Sequence, residues 1–441
     1  MTLKAGVGIR DITPRKPMFL AGYPHVPRIS TGIHDPLYAS ALYMENGSNA
    51  IMCIAVDILF ISHDIARSCR SVLSRMIGVP SENILISATH THSGPLTLDM
   101  LAWRDDPVVM PMDPEYVEYL SKGIIDAGIA AHTSSVPAQA AVTRTKAMGV
   151  GGNRLSPDGI TDPEVGILFV KRKSDDRALA LDMVYSMHPT VMHEDSTLIS
   201  SDFPGYTRQH LEEHLPGIKV LYHTGPCGNQ SPRYHISGQT FAEADRLGRK
   251  LGEAVLAAVT SLDDSDFSDE LWLSGAHAFV ELPGRTFPSV AEAEAALKQA
   301  VEQYRRLKDE EAAHGPLRTA ECAVFGAEEV AILAQAQANG EVADVRKNYL
   351  PVEVQVLRVG DAFFVGLPGE LFVEYGLAIK QRAPGRAFVI SLSNGELQGY
   401  IVTPEADAAG GYEAALNFFT PEAGSIMADA ALDLMRRMNH E

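Results

Sequence analysis

The stretch from Ala50 to Pro95, AIMCIAVDILFISHDIARSCRSVLSRMIGVPSENILISATHTHSGP, decides the fold class. Its first part, Ala50 to Val56, is an unbroken apolar run of strand length, the pattern of a strand buried on both faces. Ile61, Ile65, Cys69, Val72, Leu73 and Met76 then recur at helical spacing, and Ile84 to Ala88 is the next strand-like run. The whole reads as a β-α-β unit whose second strand passes directly into Thr89-His90-Thr91-His92-Ser93-Gly94-Pro95. Loops beyond the carboxyl ends of such strands are where open α/β sheets place their sites.

Outward from this unit, strand-length and helical patterns keep alternating, which predicts an α/β fold with a mixed β-sheet core and flanking helices. β-branched and aromatic enrichment between turn residues predicts further strands near 38–45, 138–145, 165–172, 178–186, 218–223, 271–281, 351–359, 362–367 and 387–392. Helix starts are marked at Asp113-Pro114, at Thr240 with Glu243, and at Thr420-Pro421. From Ser289 to about Asn348 the composition turns rich in Ala, Glu, Gln, Lys and Arg, which predicts a helical hairpin bent at His314-Gly315-Pro316 and inserted, over about 286–348, into a single domain.

Composition bounds the rest. The chain has 441 residues, 46% hydrophobic and 21% charged, so it can bury a large core without disulfides. Its net charge of −19 and the lack of a Lys/Arg cluster argue against a nucleic-acid partner. No apolar run approaches the roughly 20 residues of a membrane span. Cys53, Cys69, Cys227 and Cys322 are scattered without a CxxC pair, and the start MTLKAGVGIRDITP lacks an export signal, so a reducing, cytoplasmic setting is expected.

Chemistry concentrates at strand ends. On an extended backbone His90 and His92 would point to one face and could share a metal, although two loop histidines bonded to backbone would look the same. His188 closes the run Met183 to Met187 and is followed by Pro189. The loop His223 to Pro232 displays Ser231, but without the GxSxG of a nucleophile elbow. Glu370 follows a strand in Pro368-Gly369-Glu370, where a helix N-cap is the plainer role, and Tyr400 ends the turn-rich loop from Ser393, where packing is the plainer role. Together they supply N and O donors suited to zinc from distant parts of the chain.

The order and wording of these loops resemble the neutral/alkaline, non-lysosomal ceramidase family. The resemblance runs through Gly6 to Thr13, Ala21-Gly22-Tyr23, Gly32-Ile33-His34, SATHTHSGP from Ser87, Asn153-Arg154, His188 with Ser200 to Tyr206, Gly228 to Pro232, Pro368-Gly369-Glu370, Gly399-Tyr400 with Thr403-Pro404-Glu405, and Tyr412-Glu413. It implies one catalytic zinc per chain held by His90, His188, Glu370 and Tyr400. It also implies a substrate-contacting His92, site-lining Arg154 and Tyr412, and Ser231 in the position cast as nucleophile, within GNQSP where the family commonly has an aspartate for Asn229. The family's C-terminal immunoglobulin-like domain has no counterpart before Glu441, so one catalytic domain over 1–441 is expected. After Pro95, where the family continues with glycines, this chain continues Leu96 to Arg104 with bulky groups that reshape the pocket.

These readings predict a zinc hydrolase that cleaves an amide bond of a small or lipid-like N-acyl substrate. Zinc would polarise the carbonyl and acidify a water, while His92 and Tyr400 hold protons or the oxyanion. The rivals are an esterase or lactonase on the same scaffold, a metal-independent serine hydrolase using Ser231 with His223 or His235, and a non-catalytic binding protein. A dinuclear amidohydrolase barrel lacks its further ligands here, and an HxHxDH hydrolase is excluded because Ser93-Gly94 follows His92. Sequence leaves the oligomeric state open.

Overall fold

The computed structural model describes residues 2–312 and 314–440. In chain order the elements are β1 (Lys4–Asp11), β2 (Gly32–Ile33), β3 (Tyr38–Glu45), β4 (Ala50–Val56), α1 (His63–Ile77), β5 (Ile84–Ala88), α2 (Pro114–Thr133), β6 (Val136–Lys146), β7 (Gly152–Asn153), β8 (Glu164–Arg172), β9 (Ala178–Tyr185), β10 (Leu198–Ile199), α3 (Phe203–His214), β11 (Lys219–Thr224), β12 (Gln230–Ser231) and α4 (Phe241–Thr260). There follow β13 (Leu273–Val280), α5 (Val290–Asp309), α6 (His314–Ala338), α7 (Glu341–Tyr349), β14 (Val352–Val359), β15 (Ala362–Gly366), β16 (Glu370–Leu371), α8 (Val373–Arg382), β17 (Arg386–Ile390), β18 (Tyr400–Ile401), α9 (Pro404–Ala409), α10 (Tyr412–Ala415) and α11 (Glu422–His440).

Two sheets stack inside two helical layers, an α/β fold. The larger has eight strands in the order β11-β9-β8-β6-β1-β3-β4-β5, and the smaller has four in the order β13-β14-β15-β17. The run AIMCIAV shows why: on β4, Met52, Ile54 and Val56 enter the core beneath the helices, while Ile51, Cys53 and Ala55 enter the core shared with Leu357, Phe364, Phe388 and Ile390 of the second sheet. β4 and β5 are parallel and joined through α1, as the β-α-β reading requires. β9 pairs parallel with β11, and β15 with β17, so three parallel pairs supply the carboxyl ends on which the site is built. Backbone bonds bridge the sheets at that edge, from the Asn394 amide to the Ile86 carbonyl (2.7 Å) and from the Ser391 amide to the Thr224 carbonyl (2.9 Å).

The inserted segment differs from its expectation in two respects. It holds three helices, because Gly340 in the left-handed region (φ 84°) ends α6 and starts α7. His314-Gly315-Pro316 is the first turn of α6 and not the bend before it, in keeping with proline's tolerance in a first helical turn. β1 is a strand that propensity did not predict. At Gly6 and Gly8 a Cβ would lie 2.2 and 2.0 Å from the Ala131 and Ala127 carbonyl oxygens of α2, so the glycines let helix and sheet touch backbone to backbone. Among the described residues no helix is long and apolar enough to cross a membrane.

Candidate active site

The loops after β4, β5, β15 and β17 meet around one cavity of about 50 Å3, lined by His90, His92, Glu370, Tyr400 and Tyr412 together with Leu59, Phe60, Met100, Trp103, Glu329 and Phe418, and His188 from the loop after β9 reaches its Glu370. His90 and His92 do converge, but not by strand alternation. His90 has φ 69°, the left-handed region that costs a non-glycine residue about 1–2 kcal/mol. That conformation is held by its amide on the Ile58 carbonyl (3.0 Å) and by the threonines beside it, Thr89 on Asp57 (3.1 Å) and Thr91 on the Ser200 carbonyl (2.7 Å). Asp57 is fixed in turn by both Nη atoms of buried Arg208.

The three imidazoles share one feature. Nδ1–H of His90 donates to the Leu59 carbonyl (2.9 Å), that of His92 to the Gly22 carbonyl (3.1 Å), and that of His188 to the Cys227 carbonyl (2.6 Å). A ring whose Nδ1 carries the proton presents an Nε2 lone pair. Those lone pairs face one another and a carboxylate: Nε2 of His90 lies 3.3 Å from Nε2 of His92 and 3.2 Å from Glu370 Oε2, which is 3.1 Å from Nε2 of His188. Burial, then the charge on Arg154, lowers His188 to about 4, and burial with His90 beside it holds His92 well below the usual imidazole range, so both rings are neutral near pH 7. Burial opposes ionisation of Glu370, and what holds it below the ordinary carboxylate range is positive charge or N–H from His90 and His188, a part that a cation seated between the neutral rings and the carboxylate would take over. Neutral lone pairs and an ionised carboxylate pointing inward at such distances have no hydrogen to share and fit a cation, and N and O donors of this kind suit zinc.

Glu370 and Tyr400 arrive together because β16 and β18 pair in parallel with these two residues in register. Burial and the neighbouring Glu370 carboxylate push the Tyr400 phenol up. Arg154 stacks its guanidinium 5.2 Å from the centre of the Tyr400 ring and donates Nε–H to Glu413 (2.8 Å). Tyr412 stands edge-on to Tyr400 with 6.2 Å between ring centres. Ser231 is not brought in with this group: it pairs with Gly152 between β12 and β7, does not line the cavity, and its hydroxyl accepts from the Arg233 amide (3.2 Å). His223 instead faces Ser87 (2.6 Å) and Asp182 (3.0 Å), all three fully buried between the sheets.

Sequence reasoning missed Arg28 and Glu329. Arg28 is fully buried and donates to the His92 carbonyl (2.9 Å); nothing in HVPRIST marks it. Glu329 was legible in principle, since it interrupts the i, i+4 apolar stripe of Phe325 and Leu333 on α6. Gly22 was quoted only within a motif, and its reason is steric: φ is 106° and a Cβ would sit 2.4 Å from His92 Nδ1.

Fold and site together define a two-sheet α/β protein with a buried centre of three histidines and a glutamate at the sheet edge. Comparison with known proteins places it more closely: residues 3–268 match the family described as neutral/alkaline non-lysosomal ceramidase, N-terminal. The chain belongs to that family. It is 26% identical over 266 residues to neutral ceramidase A of Dictyostelium discoideum, covering 55% of this chain and 37% of that protein. To the neutral ceramidase of Drosophila pseudoobscura pseudoobscura it is 25% identical over 235 residues, 50% of this chain and 33% of that one. The matches thus span about a third of these relatives' length. The crystal structure of neutral ceramidase from Pseudomonas aeruginosa superposes with a TM-score of 0.75 at 19% identity, covering 99% of this chain and 75% of that chain, which establishes the shared fold.

Proposed function

We propose that the chain is a zinc-dependent hydrolase that cleaves the amide bond of an N-acyl substrate, with one zinc per chain held by His90, His188, Glu370 and Tyr400. The observation that carries this reading is the convergence of Nε2 lone pairs on Glu370 Oε2, each ring fixed through Nδ1 on a backbone carbonyl. Relatives named neutral ceramidases and the family match support the amide as the bond cleaved. Zinc, when bound, supplies a Lewis acid for the carbonyl and lowers the pKa of a water toward about 7.

The chain's own groups do the remainder. His92, held by Gly22 and Arg28, is placed to take and return a proton at Nε2 or to donate to the carbonyl oxygen as it gains charge. Arg154 stacked on Tyr400 favours electron density on the phenolic oxygen, and Tyr412 borders the same space. Ser231 lies one residue from Gln230, whose carbonyl lies 3.1 Å from His188 Nδ1, so we assign it to supporting that ring in preference to attacking the substrate. A nucleophilic serine needs a base in reach, and its one hydrogen bond among the described residues comes from a backbone amide.

Elemental analysis of the purified protein beside His90→Ala and His188→Ala tests this. The expected result is about one zinc per wild-type chain, lost from both variants while circular dichroism shows them folded, with chelator-sensitive cleavage of N-acyl amides by the wild type alone. A wild type that takes up no zinc when zinc is offered, or whose amidase activity survives chelation, overturns the reading.

A further inference from the structure

One wall of the cavity comes from the inserted helices. α6 presents Glu329, only 1% exposed, to the same space as His90, Glu370 and Tyr412. Among the described residues its Oε1 has no hydrogen-bond partner within ordinary geometry; His25 Nε2 lies 3.5 Å away and likewise lacks one, and the polar ends of Trp103 and Tyr412 border the same carboxylate. His25 is already engaged: its Nδ1 lies 2.6 Å from buried Asp106 and 3.6 Å from Glu328, and its ring stacks on Phe325 at 5.0 Å. One imidazole thus serves two buried carboxylates and a third that is exposed, which leaves Glu329 incompletely compensated beside a cavity whose apolar wall is Leu59, Phe60, Met100, Trp103, Leu416 and Phe418. A buried carboxylate is unfavourable in proportion to how incompletely donors or a cation meet it.

The cavity sets the other limit. Its volume of about 50 Å3 is far below the roughly 300–1,000 Å3 of sites that enclose drug-sized ligands. Trp103 and Met100, from the bulky segment after Pro95, are both buried in its wall.

We infer that Glu329 is a substrate-recognition residue for an ammonium group, and that the substrates are small N-acyl amines bearing a second, cationic nitrogen in place of long apolar chains. This rests on the hydrolase reading, which it narrows. In the bound state the ammonium donates to the Glu329 carboxylate while the amide reaches the histidine and glutamate centre. Burial raises the Glu329 carboxyl in spite of His25, Trp103 and Tyr412 beside it, and a ligand cation would offset that burial.

The test compares N-acetylated α,ω-diamines having two to four methylenes with the N-alkylacetamides that replace each terminal ammonium by methyl. Affinity for the zinc-supplemented protein is read by calorimetry, and kcat/KM where turnover is seen, in the wild type, Glu329→Gln and Glu329→Asp. The expected outcome is a preference of at least tenfold for the cation in one pair or more, falling below threefold in Glu329→Gln and partly restored in Glu329→Asp. A wild-type ratio near one overturns the inference, as does a preference that survives Glu329→Gln, or ceramide in mixed micelles being cleaved tenfold faster than every diamine. If Glu329→Gln does not fold, the wild-type and Glu329→Asp ratios decide. Zinc binding with unselective amide cleavage defeats the assignment of Glu329 alone; absence of zinc and cleavage defeats the hydrolase reading, and the calorimetric ratio still judges Glu329.

Discussion

Asn229 shows how one atom separates this chain from the wording common in its family. Its Nδ2 donates to both oxygens of Glu374 (3.2 and 2.9 Å), and its Oδ1 accepts from the Val373 amide (3.0 Å) at the start of α8. Asn229→Asp would set two carboxylates about 3 Å apart at a nearly inaccessible position, so one must take up a proton or lose its partner. The expected cost is about 1–3 kcal/mol in urea unfolding near pH 7, recovered by adding Glu374→Gln; an unchanged midpoint for Asn229→Asp would refute the account. Residues of this kind set the limit of legibility. His90, His188 and Glu370 could be picked out because each follows a strand-like run, and Tyr400 because it closes a turn-rich loop that the family resemblance singles out; His90, Glu370 and Tyr400 line one cavity, and His188 meets Glu370 at 3.1 Å. Arg28 could not be so picked out, because its partners lie far away in sequence and only the folded chain reveals that a loop arginine holds His92; Glu329 left a trace in the apolar stripe it interrupts, but its partner His25 is equally remote.

At the scale of elements, strands were legible from their apolar and β-branched runs, and nine expected runs coincide with β3, β6, β8, β9, β11, β13, β14, β15 and β17 to within about two residues. β1 was not, since its glycines lower strand propensity while serving a contact with α2 that propensity does not register. This contact gives a direct expectation. Gly8→Ala puts a methyl where the Ala127 carbonyl oxygen stands, and because the obstacle is backbone it cannot swing aside. Forcing α2 from the sheet should cost about 1–3 kcal/mol or more, read as a lower denaturation midpoint with little change in m. A Gly8→Ala protein as stable as the wild type would show that helix and sheet do not meet this closely. The inserted helices were legible in composition but not in number, because the break at Gly340 lies inside a run of good helix formers.

For the molecule as a whole, buried acids govern the response to pH. Asp202 caps α3, accepting from the Phe203 (2.6 Å) and Met192 (2.8 Å) amides, yet burial with Asp35 nearby pushes it up to about 7 from an ordinary 3.8. The folded chain then keeps a proton that the unfolded chain releases, so this contribution to stability is fully present below pH ~4 and is lost as pH rises to about 7. The slope is at most ~1.4 kcal/mol per pH unit across that window. Relative to Asp202→Asn, the wild type should lose stability with rising pH between those limits, by urea unfolding at several pH values; a pH-independent difference would discount the shift. The two sheets also share the site between them, His90 and His188 rising from the larger and Glu370 and Tyr400 from loops of the smaller, while Glu329 belongs to neither. It rides on helices spliced between β13 and β14, outside the layers that hold the centre together. Under the proposed reading the two can vary separately: substitutions along α6 would redraw the guest list of the cavity while the histidine and glutamate centre stays as it is.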